Sequence, residues 1–427
     1  MAEYNSYIDS QISYVGAIPS HWKTVQNKRV MHKEKRICDS YTGQDIISLT
    51  MRGAIVRDLG AGGKMPTTFD GYQYVYPGEL LMCLFDIDVT PRCVGRVYNV
   101  GLTSPAYSSF VLHDNADLGY FYYYYLMLDH TKELLHLAKN LRHSLTEEQL
   151  GQIEVPLPPV QEQTAIAAYL DRETERVDAI IAEAKASIEE YKTWKASIIY
   201  EAVTKGLDPN VEMKASGVEW IGSIPLTWNV QKLKTLVSEA LQYGANETGI
   251  DYDENLPRYI RITDVTSNGE LKDTGKLSLS EDTARDYILD DGDILLARSG
   301  GTVGKAFYYK AEYGRAAFAG YMIKVRVNRD VIHPKLVYFA TLAANYDDWK
   351  ATTMTQATIQ NIGANKYNEF CVVVPPKEDQ ERLVSYLENK TSQIDALITE
   401  KELLVADLES YKKSLIFEVV TGKRKVV

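Results

Sequence analysis

Nowhere in the 427-residue chain is there a run of roughly 18 apolar residues, so no membrane-spanning helix is expected. The first ten residues carry Glu3 and Asp9 and lack a basic region ahead of an apolar core, which argues against a secretory signal. Cysteine is scarce: Cys38, Cys83, Cys93 and Cys371 are the four. None pair at the two-to-four-residue spacing that a zinc site favours, so no metal site is expected. They read as buried or half-buried free thiols in a reducing compartment, the cytoplasm. Positive charge is also short. The net charge is −11, and neither half is basic. Residues 1–155 hold 14 Lys and Arg against 17 Asp and Glu, and residues 206–376 hold 18 against 22. Any nucleic-acid face must therefore be a local patch, or be shared with a basic partner.

Catalytic signatures are missing too. The seven histidines are scattered, and no Gly-x-Ser-x-Gly elbow occurs. Gly300-Gly301-Thr302-Val303-Gly304-Lys305 invites a phosphate-loop reading. However, Ser299 stands where the motif needs Gly, and Ala306 replaces the magnesium-binding hydroxyl. Gly60-Ala61-Gly62-Gly63-Lys64 fails in a similar way. Asp290, Asp291 and Asp293 lack the acid-x-Lys continuation of a common metal nuclease and read as a solvated turn before a strand. The diprolines Pro158-Pro159 and Pro375-Pro376 lack the preceding Asn or Asp and the following aromatic of an amino-methyltransferase loop. They read as rigid hinges that end a strand and start a helix.

What the chain does have, it has twice. Gly16-Ala17-Ile18-Pro19-Ser20-His21-Trp22 returns as Gly222-Ser223-Ile224-Pro225-Leu226-Thr227-Trp228, offset by 206 residues. Gln163, Tyr169-Leu170, Asp178-Ala179, Ile181, Glu183, Ser197, Glu201 and Val203-Thr204 return as Gln380, Tyr386-Leu387, Asp395-Ala396, Ile398, Glu400, Ser414, Glu418 and Val420-Thr421, all offset by 217. An ungapped match of that density marks an internal repeat. Alternating steps of four and three pick out seams running from Leu170 to Ala202 and from Leu387 to Val419. These are mostly apolar heptads without internal Gly or Pro, bounded by the diprolines and by Gly206 and Gly422, and so predict two long helices that pair with each other. Between them, Ile46–Thr50, Tyr259–Ile262 and Asp293–Leu296 read as short strands, and Phe121–Leu128 and Leu336–Ala344 as helices. The expected fold is α+β: a globular unit over 1–157, a helix over 158–206, a second globular unit over 207–374 and a second helix over 375–427.

This order, and its motifs, resemble the specificity subunit of a type I restriction–modification enzyme. The resemblance rests on Ile-Pro-x-x-Trp opening each unit, and on Tyr259-Ile260-Arg261-Ile262-Thr263-Asp264-Val265. It rests further on Gly292–Gly300 with Gly304-Lys305, on Thr355–Ile362, and on Pro-Pro-x-x-x-Gln leading into each helix. The first unit departs from the pattern: Gly78–Phe85 lacks the Ala-Arg-Ser-Gly ending, and Lys139–Leu145 replaces the Thr-Gln-Ala-Thr segment. The resemblance implies two target-recognition domains, each reading one half of a split double-stranded DNA target, in a bacterium or archaeon. It implies an antiparallel coiled coil of about forty residues per helix, roughly 60 Å long against a ~34 Å turn of DNA, acting as a ruler. It also implies two methyltransferase subunits that flip and methylate an adenine with S-adenosylmethionine, and a motor–nuclease subunit that uses ATP and magnesium. This chain would bind no cofactor and supply no catalytic residue.

Long polar side chains on the matched turns are the candidate DNA contacts. In the second unit these are Arg261, Thr263, Arg298, Ser299, Thr302, Lys305, Thr355, Gln356, Thr358, Gln360 and Asn361. In the first they are Thr50, Arg52, Lys64, Arg92, Arg96, Lys139, Asn140 and Arg142. Arg and Lys reach guanine in the major groove, and Gln and Asn pair with adenine; a phosphate contact would position without specifying. The cluster Lys28-Arg29, Lys33, Lys35-Arg36 reads either as a backbone contact or as a solvated face. Two rivals remain at this level: a non-catalytic protein-interaction scaffold built on the coiled coil, which the negative charge favours, and an enzyme with an unrecognised site in the Gly-rich turns.

Overall fold

The computed structural model describes residues 3–60, 66–138, 143–266, 268–353 and 360–426. The chain forms two compact units, Met1–Ala184 with Leu404–Val427, and Lys185–Leu403. The long helices, Val160–Lys205 and Lys377–Val420, are divided between them.

The first unit is built on four antiparallel strands, β1 (Met31–Glu34), β2 (Leu80–Met82), β3 (Val94–Arg96) and β4 (Ser108–Leu112), in the order β1-β4-β2-β3. Beside them Lys23–Gln26 pairs with Glu154–Leu157, the strand that leads into the first long helix. The helix over Leu118–Thr131 is capped by the Asp117 carboxylate, which accepts from the Tyr120 amide at 3.0 Å. It extends further at both ends than its central apolar run predicts. It is buried nearly all round, which explains why an apolar run carries so many tyrosines: each ring fills core while its hydroxyl reaches a distant partner. Tyr120 donates to the Val420 carbonyl (3.0 Å), Tyr123 to Asp171 (2.8 Å) and Tyr125 to Asn27 (2.5 Å).

His130, near the end of this helix, has a buried Nδ1 without a hydrogen-bond partner. Burial pushes its pKa down from 6.5 to about 4; Asp129 opposes the shift, while Arg92, Lys413 and Lys412 reinforce it. Between those values the unfolded chain binds the proton and the folded chain does not, so the His130 contribution is fully present above pH 6.5 and is lost as pH falls toward 4. At ~1.4 kcal/mol per pKa unit, the loss is about 3 kcal/mol. His130→Phe is therefore expected to flatten the fall in urea midpoint between pH 7 and pH 4.5. An unchanged slope would remove His130 as the source.

The second unit repeats this plan. Strands β5 (Gln242–Tyr243), β6 (Ile294–Ala297), β7 (Ala306–Tyr308) and β8 (Met322–Val325) run antiparallel in the order β5-β8-β6-β7. Asn229–Lys232 pairs with Cys371–Val374 ahead of the second long helix. An additional sheet joins Ile250–Asp251, Leu277–Ser278, Arg258–Ile260 and Ala316–Phe318, the last two parallel. The strand expected over Tyr259–Ile262 stops at Ile260, because the Arg261 side chain and amide close a 3-10 turn onto Asp264. The helix expected over Leu336–Ala344 is shifted to Pro334–Ala340, capped by His333.

The helical repeat pairs antiparallel within each unit. In the first, Val177, Ile181 and Ala184 pack with Val405 and Leu408, and Lys412 pairs with Asp178. In the second, Ile188 packs with Ile394 and Ile398, and Lys195 pairs with Asp395 at 2.6 Å. The repeated glutamines also make matching bonds. Gln163 accepts from the Asp117 amide and donates to the Asn115 and Pro158 carbonyls; Gln380 accepts from the His333 amide and donates to Val331 and Pro375. Each staples the start of a long helix to the loop that enters a core helix. Each long helix ends on a left-handed glycine seated against a motif tryptophan. A Cβ on Gly206 (φ 81°) would lie 3.2 Å from Trp228, and one on Gly422 (φ 71°) 3.0 Å from Trp22. Only glycine meets both demands.

Candidate nucleic-acid interface

In the second unit, β6 leaves the sheet at Ala297 and passes through Arg298 and Ser299 into a 3-10 turn, Gly300–Thr302, before returning as β7. The segment after 359 lies alongside: Ser299 bridges Asn361, the Gly300 amide donates to the Gln360 carbonyl (3.2 Å), and the Ile362 amide to the Arg298 carbonyl (2.8 Å). Arg298, Ser299, Gln360 and Asn361 are thus brought together. Arg298 lies over the Tyr243 ring, 4.9 Å from its centroid. The Tyr243 hydroxyl is fixed by the Ala364 amide at 2.9 Å. The Arg298 amide donates to the carbonyl of Tyr321 (3.0 Å), whose ring is 66% exposed. Composition-led reading passed over Tyr243 and Tyr321; the glycines beside them, Gly244 and Gly320, were the available signal of close backbone approach.

The same turn is not built as a phosphate loop. The amides of Val303, Gly304 and Lys305 donate to the carbonyls of Gly300, Ala297 and Thr302, so they do not converge on an anion. Lys305 turns inward, donating to the Val265 carbonyl at 2.9 Å, and burial lowers its pKa. With exposed Thr302 it borders a cavity of about 390 Å³ that Asn268, Tyr338 and Lys350 also line. Thr263 is exposed on the neighbouring turn. Arg261 is committed internally: its guanidinium takes both Asp264 oxygens at 3.0 and 2.7 Å and donates to the Gly275 carbonyl, and the Asp264 bonds raise its pKa. Thr355, Gln356 and Thr358 lie outside the described residues.

In the first unit, Thr50 and Arg52 form the tip of the hairpin Ile47–Thr50/Gly53–Val56, where Thr50 Oγ1 accepts from the Arg52 amide and donates to the Gly53 carbonyl, both at 3.1 Å. Arg52 is exposed. Arg92 is half-buried and points at the Tyr122 hydroxyl, 3.4 Å away. Arg96 is engaged by the fold: it grips Asp171 of the first long helix at 2.6 and 3.2 Å and lies 4.4 Å over the Tyr122 ring. Lys64, Lys139, Asn140 and Arg142 lie outside the described residues. The basic cluster is partly internal, since Arg36 pairs with buried Glu79 (2.6 Å) and Lys33 approaches Glu147 (3.6 Å).

The aspartate triplet is a solvated turn at Asp290 and Asp291, which are exposed, but not at Asp293. Asp293 is buried and takes the Arg326 guanidinium at 2.9 and 2.7 Å; Asp290 shares that arginine, and Asp291 takes Arg329. Burial there comes from a cation delivered by a distant strand, which local polarity does not reveal. Among the described residues, no group of three or more His, Cys, Asp or Glu could hold a metal ion, and no helix is long and apolar enough to cross a membrane.

Residues 93–190 and 227–405 match the family model described as type I restriction modification DNA specificity domain. The chain is 25% identical over 296 residues to the type I restriction enzyme MjaVIII specificity subunit of Methanocaldococcus jannaschii, covering 64% of this chain and 63% of that one. It is 21% identical over 276 residues to the EcoKI specificity subunit of Escherichia coli K12, covering 64% and 58%. It therefore spans less than two thirds of the length of these curated relatives. Its fold is similar to that of a chain solved in work on complex assembly and conformational transition of the type I R-M system, with TM-score 0.67, 15% identity, and coverage of 94% of this chain and 98% of that one.

Proposed function

Since the chain belongs to the type I restriction–modification DNA specificity family, we propose that it reads a two-part double-stranded DNA target and positions the enzymes that act on it. The observation that carries this reading is one sheet plan built twice with different chemistry at the same exit. With Gly78-Glu79 matched to Gly292-Asp293, the registers set Glu34–Ser109–Leu81 in the first unit against Gln242–Lys324–Leu295 in the second. The exit residues are then Leu84 in one and Arg298 in the other. A repeated frame that places a buried leucine at one exit and a half-buried arginine at the other suits two half-sites of different sequence. Arg52 and Thr50 would serve the first half, and Arg298, Ser299, Gln360, Asn361 and Thr302 the second. Thr263 would touch backbone, while Arg96 and Arg261 act inside the fold. Thr355, Gln356, Thr358, Lys64, Lys139, Asn140 and Arg142 stay candidates on sequence grounds, and Arg92 and Lys305 would need to turn outward.

In this reading the chain does no chemistry. Two methyltransferase subunits dock on it and supply S-adenosylmethionine, each methylating an adenine in one half-site. A motor–nuclease subunit brings ATP and magnesium. The paired helices set the unread gap, and the assembly works in the cytoplasm, where the genome lies. The partners also supply the positive surface that a chain of net charge −11 lacks.

Methyladenine mapped at base resolution in cells expressing this chain with its methyltransferase partner, against the methyltransferase alone, tests the proposal. A split motif methylated in both halves and absent from the control is expected. No new motif, with the two proteins co-purifying, would sink the reading in favour of a protein-interaction scaffold.

A further inference from the structure

Arginines in the second unit are generally matched with acids: Arg261 with Asp264, Arg315 with Glu281, Arg326 with Asp293 and Arg329 with Asp291. Arg298 is not. Among the described residues no carboxylate pairs with it, and its Nε is sealed from solvent without a hydrogen-bond partner. A half-buried cation with unmet donors is costly unless something supplies acceptors. At the same time its geometry is tightly held. The backbone is bonded on both sides, to Tyr321 and Ile362, and the guanidinium rests on a ring that is itself tied down through Ala364. A phosphate needs a positive charge nearby and accepts it in many orientations. A fixed guanidinium plane with a blocked Nε leaves the two terminal nitrogens, the pair that matches O6 and N7 of guanine.

We infer that Arg298, stacked on Tyr243, is the residue that selects a guanine in the half-site read by the second unit, with Tyr243 as its positioning residue. This rests on the DNA-reading function proposed above. In the first unit the equivalent positions are Leu84 and Lys35. A buried leucine makes no bidentate contact, so the first half-site has no guanine selected in this way, and the two halves of the target differ at this point.

The test is selection from a random double-stranded DNA pool by the complex of this chain with its methyltransferase partner. Wild type is compared with Arg298→Lys, Arg298→Gln, Tyr243→Phe and Tyr243→Ala. Arg298→Gln is expected to lower the preference for one guanine in the second half by about tenfold to a hundredfold, with every first-half position unchanged. Arg298→Lys keeps the charge but loses the fork, and weakens the same position. Tyr243→Ala loosens that position most, whereas Tyr243→Phe keeps the stacking face but loses the Ala364 bond, and so loosens it less. A motif unaltered in both arginine variants overturns the inference. So does a uniform loss of affinity that Lys restores, which marks a phosphate contact. If the Gln variant fails to assemble, the Lys variant decides. A wild-type complex that selects no two-part motif defeats the functional reading itself, and is thereby told apart from failure of the arginine assignment.

Discussion

Arg326→Ala is expected to destabilise the second unit by about 3–5 kcal/mol, the range for stranding one member of a buried ion pair. The stranded group would be Asp293. Its side chain is 1% exposed, and it takes two bonds from Arg326 and one from the Asp290 amide at 2.8 Å. It stands in the turn that feeds β6, the strand that leads into Arg298. Without the guanidinium, the carboxylate is left in a dry site without its counter-charge, which costs free energy. Asp293→Asn should cost less, because Arg326 keeps Asp290 at 2.9 Å and Glu239 at 3.6 Å. Urea unfolding of the two variants checks the order. Equal and small losses would mean that the site admits water. Recognition should follow stability: Arg326→Ala blurs the second half of the target and leaves the first half intact.

The first unit contains the same device assembled from different strands. Glu79 opens β2 as Asp293 opens β6, and it is satisfied by Arg36 (2.6 Å), the Ser109 hydroxyl (2.7 Å) and the Tyr76 amide (3.1 Å). In sequence the two acids share a preceding glycine and a leucine two residues on, but their arginines lie 43 residues before one and 33 after the other. This contrast shows what could be read from sequence and what could not. The long helices were legible because their periodicity is local and their repeat ungapped: Asp178 and Asp395, Lys412 and Lys195, recur at one offset and form the same cross-helix pair twice. The doubling followed from that, and the α+β character from the short strand and helix runs in the two globular units. The turn after Ala297 was legible as a place, through its glycines. Its partners were not, because Tyr243 reaches Arg298 by sheet register and Asn361 reaches Ser299 by a bridge between segments far apart in sequence. For the same reason Arg96 looks available in the sequence, yet Asp171 engages it; Arg261 is taken by nearby Asp264 because the chain forms a 3-10 turn where a strand was expected. Side-chain type marks which residues can read DNA; nonlocal pairing decides which remain free to do so.

The second large effect is expected at the motif tryptophans, and it separates the two units. Trp22 is 2% exposed, edge-on to Tyr4 and Tyr120 at 6.0 and 6.4 Å, and in contact with Gly422 at the end of the second long helix. Its indole therefore joins three parts of the first unit: the N-terminal segment at Tyr4, the tyrosine-rich helix and the end of the returning long helix. Trp22→Ala leaves a cavity that none of them can close alone, at a cost of about 3–5 kcal/mol. Because the Trp22 Nε1 is buried without a partner, Trp22→Phe forfeits volume but no hydrogen bond and should cost less. Trp228, 4% exposed and seated against Gly206, holds the second unit in the same manner. Calorimetry of Trp22→Ala should then resolve an early transition from the first unit and leave the second near its wild-type temperature, with Trp228→Ala giving the reverse. DNA selected by each variant should keep only the half-site of the surviving unit. One shared transition lowered equally by both substitutions would mean that the long helices couple the units into a single cooperative block, in which damage to either tryptophan abolishes both halves of the target.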